Sequence, residues 1–149
     1  MNIEVTGSAI PRLTRREIGA YTRKVLLTLD RLGHLEDEIT DVSIAFVDDD
    51  AMKNLNRQFR HKNKTTDVLT FPADETYGDP NRRGRPLGDI VICVDQARRQ
   101  AHDERHSLAT EVRYLILHGM LHALGYDHET DEGEMDKLEV ELRGLVGLS

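Results

Sequence analysis

Residues 107–128, SLATEVRYLILHGMLHALGYDH, decide how the chain is read. Residues 107–125 predict a helix, and on it His118 and His122 stand at i and i+4. That spacing stacks two side chains on one face with Cβ atoms about 5–6 Å apart, close enough for both imidazoles to reach one ion. Gly125 takes the left-handed conformation that ends a helix and turns the chain back, which brings His128 round as a third donor. Three neutral imidazoles suit zinc and leave its fourth position for water. A structural zinc site is normally closed by four protein ligands, and a chain with a single cysteine has no cysteine pair to supply them. The pattern therefore predicts one open, chemically useful metal site at the end of a central helix.

The spacing H-x-x-x-H-x-x-G-x-x-H is that of the metzincin zinc peptidases with one change. Those enzymes carry glutamate directly after the first histidine as general base, and here Gly119 takes that place. Without the carboxylate, peptide hydrolysis by the usual route lacks its proton acceptor. The glycine turns the reading away from a peptidase.

Outward from this helix the pattern alternates strands with helices before it and holds helices alone after it. Residues 3–5 predict a short strand. Thr14 and Glu17 form a capping box for a helix that places Ile18, Tyr21, Val25, Leu29 and Leu32 on one face and stops at Gly33. Residues 41–49 alternate as a strand. A short helix follows, capped by Asp49 or Asp50, with Met52, Leu55 and Phe59 on one face. TTDVLTFP (65–72) reads as a strand, residues 73–86 as a loop, and LGDIVICVD (87–95) as an interior strand. Residues 95–106 predict one more helix, and residues 131–147 another, with Met135, Leu138, Leu142 and Leu145 inward. The sum is an α+β domain over residues 1–149, a small mixed sheet packed with helices.

Composition narrows the function. The chain of 149 residues suits one core. Its opening residues lack the charged and apolar regions of a signal peptide, and no stretch reaches the roughly 18 apolar residues of a membrane span. One cysteine, Cys93, fits a reducing compartment and reads as a buried core thiol; the expected location is cytoplasmic. The net charge of −7 argues against a general nucleic-acid coat. Residues 101–149 carry all of it, with 4 basic and 11 acidic side chains, whereas residues 51–66 hold five basic side chains and no acid. That segment ends on Arg57, Arg60, Lys62 and Lys64, a local attraction for an extended anion. Aromatics for stacking bases are few, with Tyr77 and Tyr126 the expected exposed ones. Asp127 either orients an imidazole or caps the last helix. For Asp67 and Asp89 turn or cap duties are expected, and His102 and His106 fall outside the site.

HGMLHALGYDH, together with LNRQFRHKNKTTDVL (55–69), TTDVLTFP and LGDIVIC (87–93), resembles the YbeY family of bacterial zinc-dependent endoribonucleases and ribosomal RNA maturation factors. The matching blocks run in order from about residue 42 to residue 139. The resemblance implies a compact fold related to zincins and one zinc ion on His118, His122 and His128. It implies cleavage of single-stranded ribosomal RNA during processing and quality control of the small ribosomal subunit. His118 and Arg60 would then act in catalysis, and Arg57, Lys62 and Lys64 would contact flanking phosphates. The partners it implies are the immature small subunit, a protein of that subunit and the Era GTPase, with no membrane. Phe59 and Thr70 stand where tyrosine and serine are usual in the family. Two rival readings remain: an assembly factor that binds with a structural zinc, and a metal hydrolase for another substrate.

Overall fold

The computed structural model describes residues 1–73, 84–127 and 129–148. Its element order is β1 (Asn2–Gly7), α1 (Arg15–Arg31), β2 (Ile39–Val47), α2 (Asp49–Arg60), β3 (Val68–Pro72), β4 (Arg85–Cys93), α3 (Val94–Asp103), α4 (Leu108–Ala123) and α5 (Glu134–Leu145). The four strands form one sheet in the order β1-β2-β4-β3. β1, β2 and β4 run parallel, and β3 pairs antiparallel with β4. The expected α+β architecture with a small mixed sheet is the one found.

β4 is an interior strand whose edges pair with β2 and β3, and its apolar run is buried on both faces by the cores packed there. Ile90 and Ile92 face a core built with α1, α4 and α5, while Val91 and Cys93 face Met52 and Leu69 beneath α2. β3, at the sheet edge, divides its side chains in the same way. Val68 packs toward the larger core, and Leu69 and Phe71 toward α2.

Several ends differ from expectation for local reasons. The cap of α2 is Asp48, whose extended backbone lets its carboxylate accept the Ala51 amide at 2.9 Å. Asp49 is drawn off by Arg99, which donates to both of its oxygens at 2.7 and 2.9 Å. The strand of β4 starts at Arg85, inside the expected loop, and α3 begins at Val94; residues 74–83 of that loop lie outside the described residues. Leu32 and Leu145, expected inward, are exposed: the buried face of α1 closes at Leu29, and that of α5 runs from Leu142 to Val146 and passes Leu145 by. The capping box of α1 forms as read, with the Glu17 amide donating to Thr14 Oγ1 at 3.1 Å.

α4 carries His118 and His122, and its backbone sits close on the sheet. A Cβ at residue 119 would sit 2.8 Å from Ile90 Cγ2 and 3.4 Å from Thr70 Oγ1. Gly119 is thus required by the approach of helix backbone to strand, and a glutamate has no room there. Past Ala123, Gly125 adopts φ +101°, the left-handed turn that reverses the chain. A methyl group at residue 119 overpacks this seat at a cost of about 1–3 kcal/mol. Gly119→Ala should therefore lower the urea midpoint of unfolding. Combining it with Ile90→Ala should cost less than the two single changes added together, the sign of direct contact.

Candidate metal centre and its cationic rim

His118 and His122 lie one turn apart on α4 with ring centroids 4.6 Å apart and planes at 76°. Their Nε2 atoms approach to 3.0 Å. Two nitrogens bound tetrahedrally to one zinc stand about 3.3 Å apart, so the pair is set at a separation that suits shared ligation. On the far side of its ring, His118 Nδ1 meets Glu139 Oε1 at 3.0 Å. An ionised carboxylate only accepts, so Nδ1 carries the proton, and in the neutral ring the lone pair falls on Nε2, the atom facing His122. The same carboxylate raises the pKa of His118, against the opposing effect of burial. His128, the expected third donor, lies outside the described residues.

The two imidazoles open into a cavity of about 240 Å³ lined by Arg60, Asp67, Val68, Thr70, His118, His122, Asp127 and Glu129. Three segments meet there: the end of α2, strand β3, and the turn after α4. Arg60 is in this lining as expected, on the last turn of α2. Arg57, Lys62 and Lys64 are exposed but do not line the cavity. Arg57 donates instead to Asn54 Oδ1 at 2.9 Å on its own helix.

The basic loop has an anchor that the sequence reading passed over. Asn56, 2 % exposed, donates from Nδ2 to the Lys64 carbonyl at 2.9 Å. His61 ends α2 in the left-handed conformation, φ 58°, as a loop residue. Asp67 reaches the cavity with its oxygens engaged. The Val68 amide donates to Oδ1 at 2.8 Å and Gln100 Nε2 to Oδ2 at 3.2 Å. Asp127 also lines the cavity, and its carboxylate accepts the Glu129 amide at 3.0 Å. It does not cap α5, whose first-turn Met135 amide is taken by Asp131 Oδ2 at 2.9 Å.

Glu139 is the site residue that sequence reasoning missed. It is only 8 % exposed and shares the buried face of α5 with Met135, Leu138 and Leu142. The available signal was a lone carboxylate four residues after Met135, on an apolar stripe. A related pair lies nearby, where His106 Nε2 meets buried Glu111 Oε2 at 2.6 Å. It borders a second cavity of about 520 Å³ that also touches Asp67 and His118.

Asp49, Cys93 and Asp95 bring their ligand atoms within 4.8 Å of one another, a spacing that suits a cation. Their lone pairs are committed elsewhere. Asp49 accepts from Arg99, Thr65 and the Cys93 thiol, and Asp95 accepts the Asp49 amide. Burial raises the pKa of the Cys93 thiol, which holds it protonated. This group locks α2 to α3, and a cation would have to displace Arg99.

A profile of the family described as "Endoribonuclease YbeY" matches residues 5–145. The chain belongs to the YbeY family. Among its relatives, "Endoribonuclease YbeY" of Nautilia profundicola is 46 % identical over 116 residues, covering 76 % of this chain and 79 % of that one. The protein of the same name from Staphylococcus aureus strain bovine RF122 is 45 % identical over 122 residues, 78 % of each chain. The solution structure of TM1509 from Thermotoga maritima, 26 % identical, superposes with a TM-score of 0.61 over 97 % of this chain and 88 % of that one. Among the described residues, no helix is long and apolar enough to cross a membrane.

The hydrogen bonds from Arg99, first among the causes, hold the Asp49 carboxyl down at about 2 from 3.8. A depressed carboxyl stabilises the fold above its unfolded value and loses that contribution as pH falls through about 2. Both side chains are more than a third exposed, which keeps the contribution modest. In Arg99→Ala, an NMR titration should show Asp49 moving back toward 3.8. Stability between pH 4 and pH 2 should then fall less steeply than in the parent.

Proposed function

We propose that the chain is a zinc-dependent endoribonuclease that cuts single-stranded ribosomal RNA in maturation and quality control of the small subunit. The observation that carries this is the pair of Nε2 atoms 3.0 Å apart in a cavity rimmed by Arg60. His118, His122 and His128 would hold the ion. Bound there, zinc would act as a Lewis acid toward the scissile phosphodiester and toward water.

The chain's own residues divide the remaining work. Arg60 presents a planar fork that matches two phosphate oxygens and stays charged at every relevant pH. It would fix the phosphate and stabilise its growing charge. The helix offers no carboxylate at residue 119, and the carboxylates that line the cavity come from before β3, Asp67, and from the turn after α4, Asp127 and Glu129. Arg57, Lys62 and Lys64 would steer flanking phosphates, with Asn56 fixing the loop that carries the two lysines.

The exposed aromatics differ from expectation. Tyr126 is half-buried against His34, and Tyr77 lies outside the described residues. Phe59, beside Arg60, is 59 % exposed and propped edge-on against Phe71 at 5.1 Å. An open aromatic face next to a phosphate-binding arginine suits an unpaired base, because stacking is tolerant of sequence. Residues 1–149 act as one domain in this reading, in the cytoplasm. The immature small subunit, one of its proteins and the Era GTPase are the partners it implies, supported by family membership.

Purified protein should cut an unstructured RNA oligonucleotide and leave a peptide substrate intact. A chelator should stop cleavage and zinc should restore it. Arg60→Ala should remain folded and lose roughly 100- to 1000-fold in rate, and His118→Ala should lose activity with its zinc. Cleavage that persists in His118→Ala overturns the reading. Circular dichroism separates the assembly-factor alternative, since stripping a structural zinc unfolds a domain and stripping an open site does not.

Binding should weaken steeply with salt. Removing Lys62 or Lys64 should each flatten the slope of log affinity against log salt by about 0.7, the increment for one single-strand phosphate contact. Phe59→Ala should weaken binding while leaving that slope in place.

A further inference from the structure

We infer that Glu139 is a positioning residue for the metal: it sets the proton on His118 Nδ1 and so directs the Nε2 lone pair into the cavity. The inference rests on the zinc reading of His118 and His122 and adds a residue from a different helix. The contact is 3.0 Å long, spans 21 residues of chain, and joins α5 to α4.

Three features mark it as more than a chance surface pair. First, Glu139 is 8 % exposed, and a carboxylate is seldom buried to that degree without a partner. Second, the carboxylate is held from behind. Arg143 Nη2 stands 3.8 Å from the same Oε1, and its guanidinium lies over the Tyr114 ring at 4.7 Å. Tyr114 in turn donates its hydroxyl to the Leu148 carbonyl at 2.8 Å, tying α4 to the residues after α5. Third, the contact is on Nδ1, the nitrogen opposite the one that meets His122. A carboxylate there selects one tautomer, restrains ring rotation and makes the ligating nitrogen more basic. Burial of Met135, Leu138 and Leu142 fixes the register of α5 and thereby the place of Glu139.

The test is a competition titration of zinc against a chromophoric chelator, using the full chain. Wild-type protein should bind one zinc. Glu139→Ala should bind it 10- to 100-fold more weakly, the usual effect of losing such a partner. Glu139→Gln should fall between, because its amide oxygen still accepts from Nδ1–H without the charge. The glutamine variant is nearly isosteric and carries the test should the alanine variant not fold. Leu138→Ala is the structural control, a cavity in the same buried face that should lower the melting temperature and leave the zinc affinity of the folded protein within threefold. Wild-type affinity in both Glu139 variants overturns this inference alone, as does an equal loss in Leu138→Ala. A wild-type chain that takes up no zinc overturns the metal reading and this inference together.

Discussion

The contact between the α4 backbone at Gly119 and the side chain of Ile90 governs the rest of the structure. A helix seated so low on the sheet, 2.8 Å from a Cβ position to Ile90 Cγ2, cannot roll or slide without opening the core. His118 precedes that contact by one residue and His122 follows by three, so the seat sets the heading of both imidazoles. It also settles why the position after the first histidine holds no acid. The site that forms is a pair of nitrogens facing Arg60 and the edge strand, with its carboxylates placed on other elements.

Much of the fold was legible because local rules and burial agreed. Thr14 and Glu17 announced α1, the apolar run of residues 87–93 announced an interior strand, and Gly125 announced the end of α4. The cap of α2 was expected at Asp49 or Asp50 and fell to Asp48, while Asp49 is held by Arg99, fifty residues away, which no local pattern exposes. Leu32 lies beyond the last buried position of α1 and Leu145 beside the stripe that ends at Val146, and only packing tells which apolar positions meet a neighbour. For the site, the helical spacing located His118 and His122. Glu139 was hidden because an acid inside an apolar stripe gains its meaning from the helix opposite. Phe59 was read onto the inward face of α2 from its spacing, yet it meets Phe71 edge-on and stays 59 % exposed.

The charges are sorted by use as much as by number. Acidic side chains of the second half turn inward at Glu111 and Glu139, each against an imidazole. The basic ones of residues 57–64 stay exposed around Arg60. An acidic protein can therefore hold an exposed basic segment beside the cavity that His118 and His122 line, where Arg60 stands among Asp67, Asp127 and Glu129.

The link from α5 back to α4 also bears on the order of synthesis. During translation the imidazole of residue 118 is made 21 residues before the carboxylate that steadies it, and a domain folds as a unit once its chain has emerged. The ribosome is both the maker of this chain and the structure whose RNA it is read to cut. A nascent chain whose cutting centre stays unfinished until a later helix docks is a poor nuclease while still attached, which spares the machine that is building it.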